Sequence, residues 1–179
     1  MGEVESGAAW EVITPTSKVI PTADKSRRVD AMGTIEAGDL HIFLQERLLT
    51  EIVDYSRTSM EREVGGVLPG TVYEHRGVPY IELDGYIRAP GDSRAASFRF
   101  TADAWSSIRE KQGDQILVGW HHTHPGYGIF LSGTDMFSHK SFFNLPWMFA
   151  LVVDPKAETL GFFQWKNKNV AKCGFFFVR

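Results

Sequence analysis

The sequence predicts a single α/β domain, a sandwich with a central mixed β-sheet and flanking helices. Its 179 residues, of which 43% are hydrophobic, suffice for one domain with a substantial core. Two nearly continuous apolar runs, residues 115–122 and 147–154, are typical of strands buried on both faces. Segments with strand and helix periodicity alternate along the chain, as expected when helices cover a sheet.

The elements of this domain can be read in order from the periodicity of apolar residues and from turn and cap signals. Thr101, for example, is a plausible N-cap for the second helix. The predicted strands are residues 40–44, 64–73, 78–90, 97–101, 115–122, 147–154, 160–167 and 173–179, and helices are predicted around 48–53, 102–112 and 134–144.

The chain divides into residues 1–38, predicted to be an N-terminal extension that is flexible or loosely docked, and residues 39–179, the folded domain. The extension contains two prolines, the charged run 24–28 and apolar residues without a sustained period. Three interpretations of this extension stay open: a tether, a strand that pairs with another molecule, or a disordered segment.

Charge and cysteine content exclude several classes of function. A formal net charge of -3 without a basic run gives no attraction to nucleic acid or to an anionic membrane. No stretch has the length of a membrane-spanning helix, and the first ten residues lack the features of a secretion signal. Cys173 is the only cysteine, which excludes an intramolecular disulfide and makes the cytoplasm the expected compartment.

The run GWHHTHPGYGIFLSGTD, residues 119–135, carries the candidate chemistry. His122 and His124 are two residues apart in a predicted strand, so they share a face, whereas His121 faces away. Asp135 begins a predicted helix and can return a carboxylate toward the end of the strand. Two imidazoles and one carboxylate with an open fourth position are typical of catalytic zinc, so we predict one zinc ion bound by these residues.

Two further residues are candidates for catalysis. Glu63 lies between a helix and a glycine-rich strand and is predicted to move the proton of the attacking water. Ser132 is predicted to donate a hydrogen bond to the oxyanion that develops on an attacked carbonyl. No separate cofactor-binding residues are predicted. Structural roles are expected for His41, His75, His121, His139 and Cys173.

The pattern H-x-H-P-x6-S-x2-D in residues 122–135 resembles the JAMM signature of the catalytic MPN-domain, or JAB-type, zinc metallopeptidases, and looks most like their bacterial members. Glu63 and the glycine-rich segment after it are similar to the upstream part of that signature. The resemblance covers residues 40–170. It implies a cytidine-deaminase-like α/β sandwich with Zn2+ as its one metal and with the site roles given above.

This resemblance also implies an activity. It is that of a zinc-dependent isopeptidase, which uses a zinc-activated water to hydrolyse the amide bond after the C-terminus of a ubiquitin-like protein, in deconjugation or precursor processing. The implied partners are that protein or its conjugate and E1-like and E2-like conjugation enzymes. The oligomeric state stays open.

Three alternatives compete with this activity. The first is a non-catalytic MPN scaffold, which usually lacks the metal ligands. The second is a zinc hydrolase that releases a small amino acid from a sulfur-carrier protein, because substrate choice depends on loops such as 88–96 and 126–131. A nucleobase deaminase is disfavoured because its usual zinc site needs a Cys-x-x-Cys that one cysteine cannot provide.

Overall fold

The computed structural model describes residues 13–90 and 97–179. In chain order, its strands are β1 Thr16–Ser17, β2 Val29–Met32, β3 His41–Gln45, β4 Gly65–His75, β5 Val78–Leu83, β6 Ile87–Ala89, β7 Ile116–Thr123, β8 Phe149–Asp154, β9 Thr159–Lys166, β10 Asn169–Cys173 and β11 Phe175–Val178. Its helices are α1 Glu46–Ser56, α2 Ala102–Gln112 and α3 Gly133–Phe142, with a short 3-10 turn at Pro21–Ala23. None of the helices in the described ranges is long and apolar enough to cross a membrane.

The strands form one mixed sheet in the order β10-β9-β8-β7-β4-β5-β3-β11-β2, and β1 and β6 pair with β4 outside this row. The pairs β1–β4, β3–β5, β3–β11 and β7–β8 are parallel, and the others are antiparallel. Cys173 of β10 and Phe175 of β11 are separated by one residue but lie toward opposite ends of this order. The sheet therefore curls until its ends approach. This architecture confirms the predicted α/β class with a mixed sheet.

Helices cover both faces of the sheet and create two hydrophobic clusters. Ile52 of α1 packs in one cluster with Leu151 of β8, and Ile108 of α2 packs in the other with Val152 of β8. Each such side chain contributes about 1.5–3 kcal/mol when it is fully buried. Because neighbouring residues of β8 point to opposite clusters, both faces of this strand are covered, which explains its continuous apolar run.

Three strand predictions were wrong. The segment 78–90 is not one strand, because residues 84–86 separate β5 from β6. Residues 98–101 are not a strand, although Phe98 and Phe100 alternate as strand residues do. Both rings pack in the cluster beneath α2 while their backbone lacks a continuous partner strand. The segment 173–179 is not one strand, because Gly174 separates β10 from β11. A Cβ on Gly174 would lie 2.6 Å from a backbone oxygen at the end of β2, so only glycine fits there.

The first residues that the structure describes pack on the sheet. Strand β1 pairs with β4 and β2 pairs with β11. Buried Glu82 of β5 forms ion pairs with Lys18 at 3.0 Å and Arg27 at 3.3 Å. Residues 1–12 of the predicted extension lie outside the described residues, and the domain boundary after residue 38 stays a prediction.

Candidate active site

Strand β7 brings the two predicted histidine ligands together. His122 is its penultimate residue, and His124 follows its end, where His124 N donates a hydrogen bond to Val153 O at 2.9 Å. The Nε2 atoms of the two histidines lie 3.1 Å apart, and both side chains are buried. The alternation of side chains along extended backbone therefore places both imidazoles on one face, as predicted from the sequence.

Asp135 reaches the same place from the first turn of α3. Ser132 caps this helix, because Ser132 Oγ accepts a hydrogen bond from Asp135 N at 3.2 Å and Asp135 Oδ2 accepts one from Ser132 N at 2.7 Å. This reciprocal capping fixes the carboxylate at the start of the helix. Asp135 Oδ2 lies 3.2 Å from Nε2 of both His122 and His124. The three predicted ligands thus converge in the fold.

The spacing of these three ligand atoms suits a metal ion. They lie 3.1 or 3.2 Å from one another. Ligand atoms about 2.0–2.1 Å from a tetrahedral zinc ion lie roughly 3.3 Å apart. Two imidazole nitrogens and a carboxylate oxygen are also a common donor set of catalytic zinc. His122, His124 and Asp135 can therefore hold a metal, and they are the one such group within residues 13–90 and 97–179.

The pKa shifts of two of the three ligands also favour metal binding. Burial alone would raise the pKa of Asp135, but hydrogen bonds with His122 and His124 outweigh it and lower that pKa well below its usual range. Burial lowers the pKa of His122. At His124, burial is outweighed by Asp135, and the pKa is raised. The deprotonated forms of Asp135 and His122, which metal binding requires, are thus favoured by the chain itself.

The two imidazoles are oriented by different contacts. His124 Nδ1 donates to Gly128 O at 3.1 Å, which leaves Nε2 to face the other ligands. His122 instead stacks on Trp120, with ring centroids 4.5 Å apart and planes 11° apart. Trp120 Nε1 donates to His139 Nδ1 at 3.0 Å. His122 Nδ1 is buried without a hydrogen-bond partner among the described residues, so on that side of the ring the contact with Trp120 takes the place of a hydrogen bond.

Glu63 lies beside the three ligands because of the pairing between β4 and β7. These strands are antiparallel, and Val64 and Thr123 extend their pairing with two hydrogen bonds of 2.9 Å. The next pair along this register is Glu63 and His124, and Glu63 Oε1 lies 3.9 Å from His124 Nε2. A Cβ on Gly65 would lie 2.5 Å from a carbonyl oxygen of β7, so glycine permits this close approach.

The environment of Glu63 suits a group that exchanges protons near neutral pH. Its side chain is buried, and Oε2 has no hydrogen-bond partner in the part of the chain that the structure describes. Burial raises the pKa of Glu63 to about 7, against the opposing effect of His124. A carboxyl group with such a pKa can both accept and return a proton.

Ser132 combines its capping role with a position at the edge of the site. Its Oγ accepts the hydrogen bond from Asp135 N, and within the described ranges its hydroxyl hydrogen has no acceptor. The hydroxyl is half-buried, and it is held one helical turn from a ligand carboxylate. It can therefore donate to a further group that enters the site.

His121 lies on the opposite face of β7, as alternation along the strand predicts. Tyr86 Oη lies 2.9 Å from its Nδ1 and Ser56 Oγ lies 3.0 Å from its Nε2. Because Ser56 donates its hydroxyl hydrogen to Ile52 O at 2.7 Å, it accepts from Nε2, and Tyr86 donates to Nδ1. Burial lowers the pKa of His121 to about 3, so it is neutral in this network.

Three further residues lie around the ligands; sequence reasoning missed Trp120 and Asp154 and assigned His139 only a structural role. Trp120 precedes His122 by two residues and so shares its face, which is a signal that could have been used. His139 is four residues after Asp135 on the same side of α3, and it supports Trp120. Asp154 ends β8, which runs parallel to β7, so the carboxyl ends of the two strands meet at one edge of the sheet.

Comparison with known proteins finds one family profile and several relatives that are similar to this chain. The profile of a family described as JAB1/Mov34/MPN/PAD-1 ubiquitin protease matches residues 38–145. The 26S proteasome regulatory subunit RPN11 of Eremothecium gossypii is 28% identical over 126 residues, which cover 67% of this chain and 40% of that protein. The ubiquitin carboxyl-terminal hydrolase RPN11 of Saccharomyces cerevisiae matches to the same extent. The AMSH-like ubiquitin thioesterase 2 of Arabidopsis thaliana is 28% identical over 129 residues, covering 70% of this chain and 56% of that protein.

A solved structure supports the fold independently. The solution structure of a protein from Desulfitobacterium hafniense superposes with a TM-score of 0.54 at 17% identity, and the match covers 76% of this chain and 92% of that one. The curated relatives are longer, since the chain spans about 40% of the length of the RPN11 subunits. The family profile, which matches residues 38–145, covers the His122, His124 and Asp135 group.

Proposed function

Because this chain belongs to the JAB1/Mov34/MPN/PAD-1 ubiquitin protease family, we propose that it is a zinc-dependent isopeptidase. It hydrolyses the amide bond after the C-terminus of a ubiquitin-like protein, in deconjugation or precursor processing. The observation that carries this proposal is the convergence of His122, His124 and Asp135 within 3.2 Å of one another, with Glu63 3.9 Å from His124. The substrate class follows relatives named for ubiquitin hydrolysis.

In the proposed reaction each residue has one role. His122, His124 and Asp135 hold Zn2+, which when bound supplies a Lewis acid and lowers the pKa of water. Glu63 takes the proton of the attacking water and returns it to the leaving amine, a task that suits its pKa of about 7. Ser132 donates its hydroxyl hydrogen to the oxygen on which negative charge develops.

The surface beside these residues suits an extended peptide. A cavity of about 390 Å³ adjoins the start of α3 and is lined by Arg99, Phe100 and Phe137, among others. Phe130 covers the ring of His124 with centroids 4.6 Å apart and is itself 46% exposed. Apolar side chains beside a catalytic group are typical of sites that position a flexible tail. We propose that the C-terminal tail of the ubiquitin-like protein lies here.

The setting of the reaction is also part of the proposal. A single cysteine suits the reducing cytoplasm, and E1-like and E2-like enzymes that form the conjugate are the expected partners. Two alternatives predict different results in the assay below. A scaffold would bind a partner without turnover, and a hydrolase acting on a sulfur-carrier protein would release a small amino acid but would not separate two proteins.

The test is a cleavage assay with ubiquitin, and with ubiquitin-fold proteins of the same organism, each fused at its C-terminus to a reporter domain. We expect cleavage after the last residue of the tail, loss of cleavage on chelation and recovery with Zn2+. In a second fusion, a proline at the junction blocks cleavage after the tail. Any cleavage of this control would therefore come from contaminating proteases. Cleavage that resists chelation, or no cleavage by protein that carries one zinc per chain, would contradict the proposal.

A further inference from the structure

Asp154, the last residue of β8, has a buried carboxylate that binds four backbone N–H groups. Its Oδ1 accepts from Lys156 N at 3.0 Å and from Ala157 N at 3.1 Å. These two bonds cap the turn that follows β8. The other two come from a distant segment, since Oδ1 accepts from Gly126 N at 2.8 Å and Oδ2 from Gly128 N at 3.0 Å. Asp154 therefore fastens the loop after β7 to the end of β8.

This loop orients a predicted metal ligand. Gly126 and Gly128 have φ of +81° and +86°, which glycine adopts without strain, so both N–H groups can turn toward one carboxylate. Gly128 O in turn accepts from His124 Nδ1 at 3.1 Å. A carbonyl oxygen can only accept, so this bond requires a proton on Nδ1, and in the neutral imidazole the lone pair is then on Nε2. The same peptide segment thus contacts Asp154 on one side and His124 on the other.

We propose that Asp154 is a positioning residue for His124. Its carboxylate fixes the Gly126–Gly128 loop, and Gly128 O then holds His124 with Nε2 directed at His122 and Asp135. The inference rests on the proposed function in assuming that His124 binds the metal. Groups that hold a ligand histidine through its second nitrogen commonly change metal affinity or activity by about 10–100-fold when removed.

The decisive variant is Asp154→Asn. An asparagine oxygen in place of Oδ1 can keep the bonds to Gly126, Lys156 and Ala157, while its NH2 group would face Gly128 N and cannot accept from it. The turn cap is therefore kept, and the link to Gly128 is lost. The matched control is Glu82→Gln, which also changes a buried carboxylate to an amide but lies in β5 among Lys18 and Arg27.

Two readouts separate positioning from a purely structural role. The first is zinc affinity, measured by competition with a chromophoric chelator, where we expect a loss of about 10–100-fold for Asp154→Asn and no change for Glu82→Gln. The second is the imidazole 15N spectrum of the zinc-loaded protein, where the Nδ1–H signal of His124 should lose its protection from exchange with solvent while the signals of His121 are unchanged. These readouts do not depend on turnover, so they stay informative if the proposed substrate is wrong.

Wild-type zinc affinity together with an unchanged His124 Nδ1–H signal in folded Asp154→Asn would overturn the inference and leave the proposed function standing. If Asp154→Asn does not fold, Gly128→Ala decides the question. That position has φ of +86° and no atom within 4 Å of an added Cβ, so the substitution strains the loop without a clash. We expect weaker zinc binding there too, and unchanged affinity would equally overturn the inference.

Discussion

Polar side chains at the end of β7 lie alternately on two buried faces of the strand. The two faces differ in the partners that they offer these side chains. On one face, both nitrogens of His121 are paired with Tyr86 and Ser56. On the other face, His122 and His124 meet each other and Asp135. On the first face, the protein itself supplies hydrogen-bond partners to both nitrogens of His121. On the second face, the atoms that meet are all potential metal ligands.

This difference shows how two adjacent histidines can have unrelated roles. A buried polar group is costly unless it has a partner. His121 obtains its partners from α1 and from the segment before β6, so it needs no ligand. On the opposite face, His122 Nδ1 and Glu63 Oε2 remain unpartnered among the described residues, and the three ligand atoms share one centre. That face can hold a metal ion.

The largest difference between the two faces is expected when each of the two neighbouring histidines is replaced by alanine. His122→Ala should lose zinc and reduce cleavage to the rate without enzyme, because it removes a ligand. His121→Ala should keep one zinc per chain but lower the free energy of unfolding by about 2–4 kcal/mol, since it leaves a cavity and removes the hydrogen-bond partner of the Tyr86 hydroxyl. Zinc content by mass spectrometry and urea unfolding measure the two effects. Zinc loss in His121→Ala with retention in His122→Ala would contradict the assignment of faces.

The next largest effect is expected at Glu63, which contacts the ligand face without being a ligand. Glu63→Gln should keep zinc and lower kcat by about 10²–10⁴-fold, because the amide cannot take up the proton of the attacking water. Steady-state cleavage and zinc content should be measured on the same preparation. A variant that cleaves at the wild-type rate would exclude Glu63 as the base.

The pH dependence of the free energy of unfolding tests His139, which supports the face that carries the metal ligands. Burial lowers the pKa of His139 to about 4, below the unfolded value of 6.5. Between these values the unfolded chain binds one more proton, so stability is lost as the pH falls from 6.5 toward 4, by up to about 3 kcal/mol. His139→Gln can still accept from Trp120 but does not titrate. Urea unfolding of the metal-free proteins should show a shallower pH dependence for the variant, and equal slopes would contradict this account.

The smallest expected effect is at the edge of the His121 network. Tyr86→Phe removes the donor to His121 Nδ1 and keeps the ring, so the free energy of unfolding should fall by about 1 kcal/mol. Zinc content and cleavage should be unchanged because the opposite face is intact. A loss of activity larger than twofold would show that the two faces are coupled.

Local periodicity was enough to predict which residues face the site. The i, i+2 spacing placed His122 and His124 together and turned His121 away, and the cap signal placed Asp135 in the first turn of α3. The pairing of Glu63 with His124 could not be derived in this way, because it depends on the register of β4 against β7. The role of Asp154 likewise depends on β7 and β8 lying side by side, which no local pattern encodes.

The errors in the fold have the same origin. The alternation of Phe98 and Phe100 matches a strand, but it serves two aromatic anchors beneath α2. The run after Cys173 looks continuous, but its ends join distant parts of a curled sheet. Gly174 makes this possible because it fits closely against the end of β2. Tertiary pairing decides both cases, so a single sequence window does not reveal them.

The most direct test of the account is the position of zinc itself. Crystals grown with one equivalent of Zn2+ should show a single strong anomalous peak at the zinc edge, bonded to Nε2 of His122, Nε2 of His124 and Oδ2 of Asp135. The same measurement on Asp135→Ala should show no peak there. Zinc bound elsewhere, or a wild-type site that stays empty at saturating zinc, would contradict the central claim that this face of β7 is a catalytic metal centre.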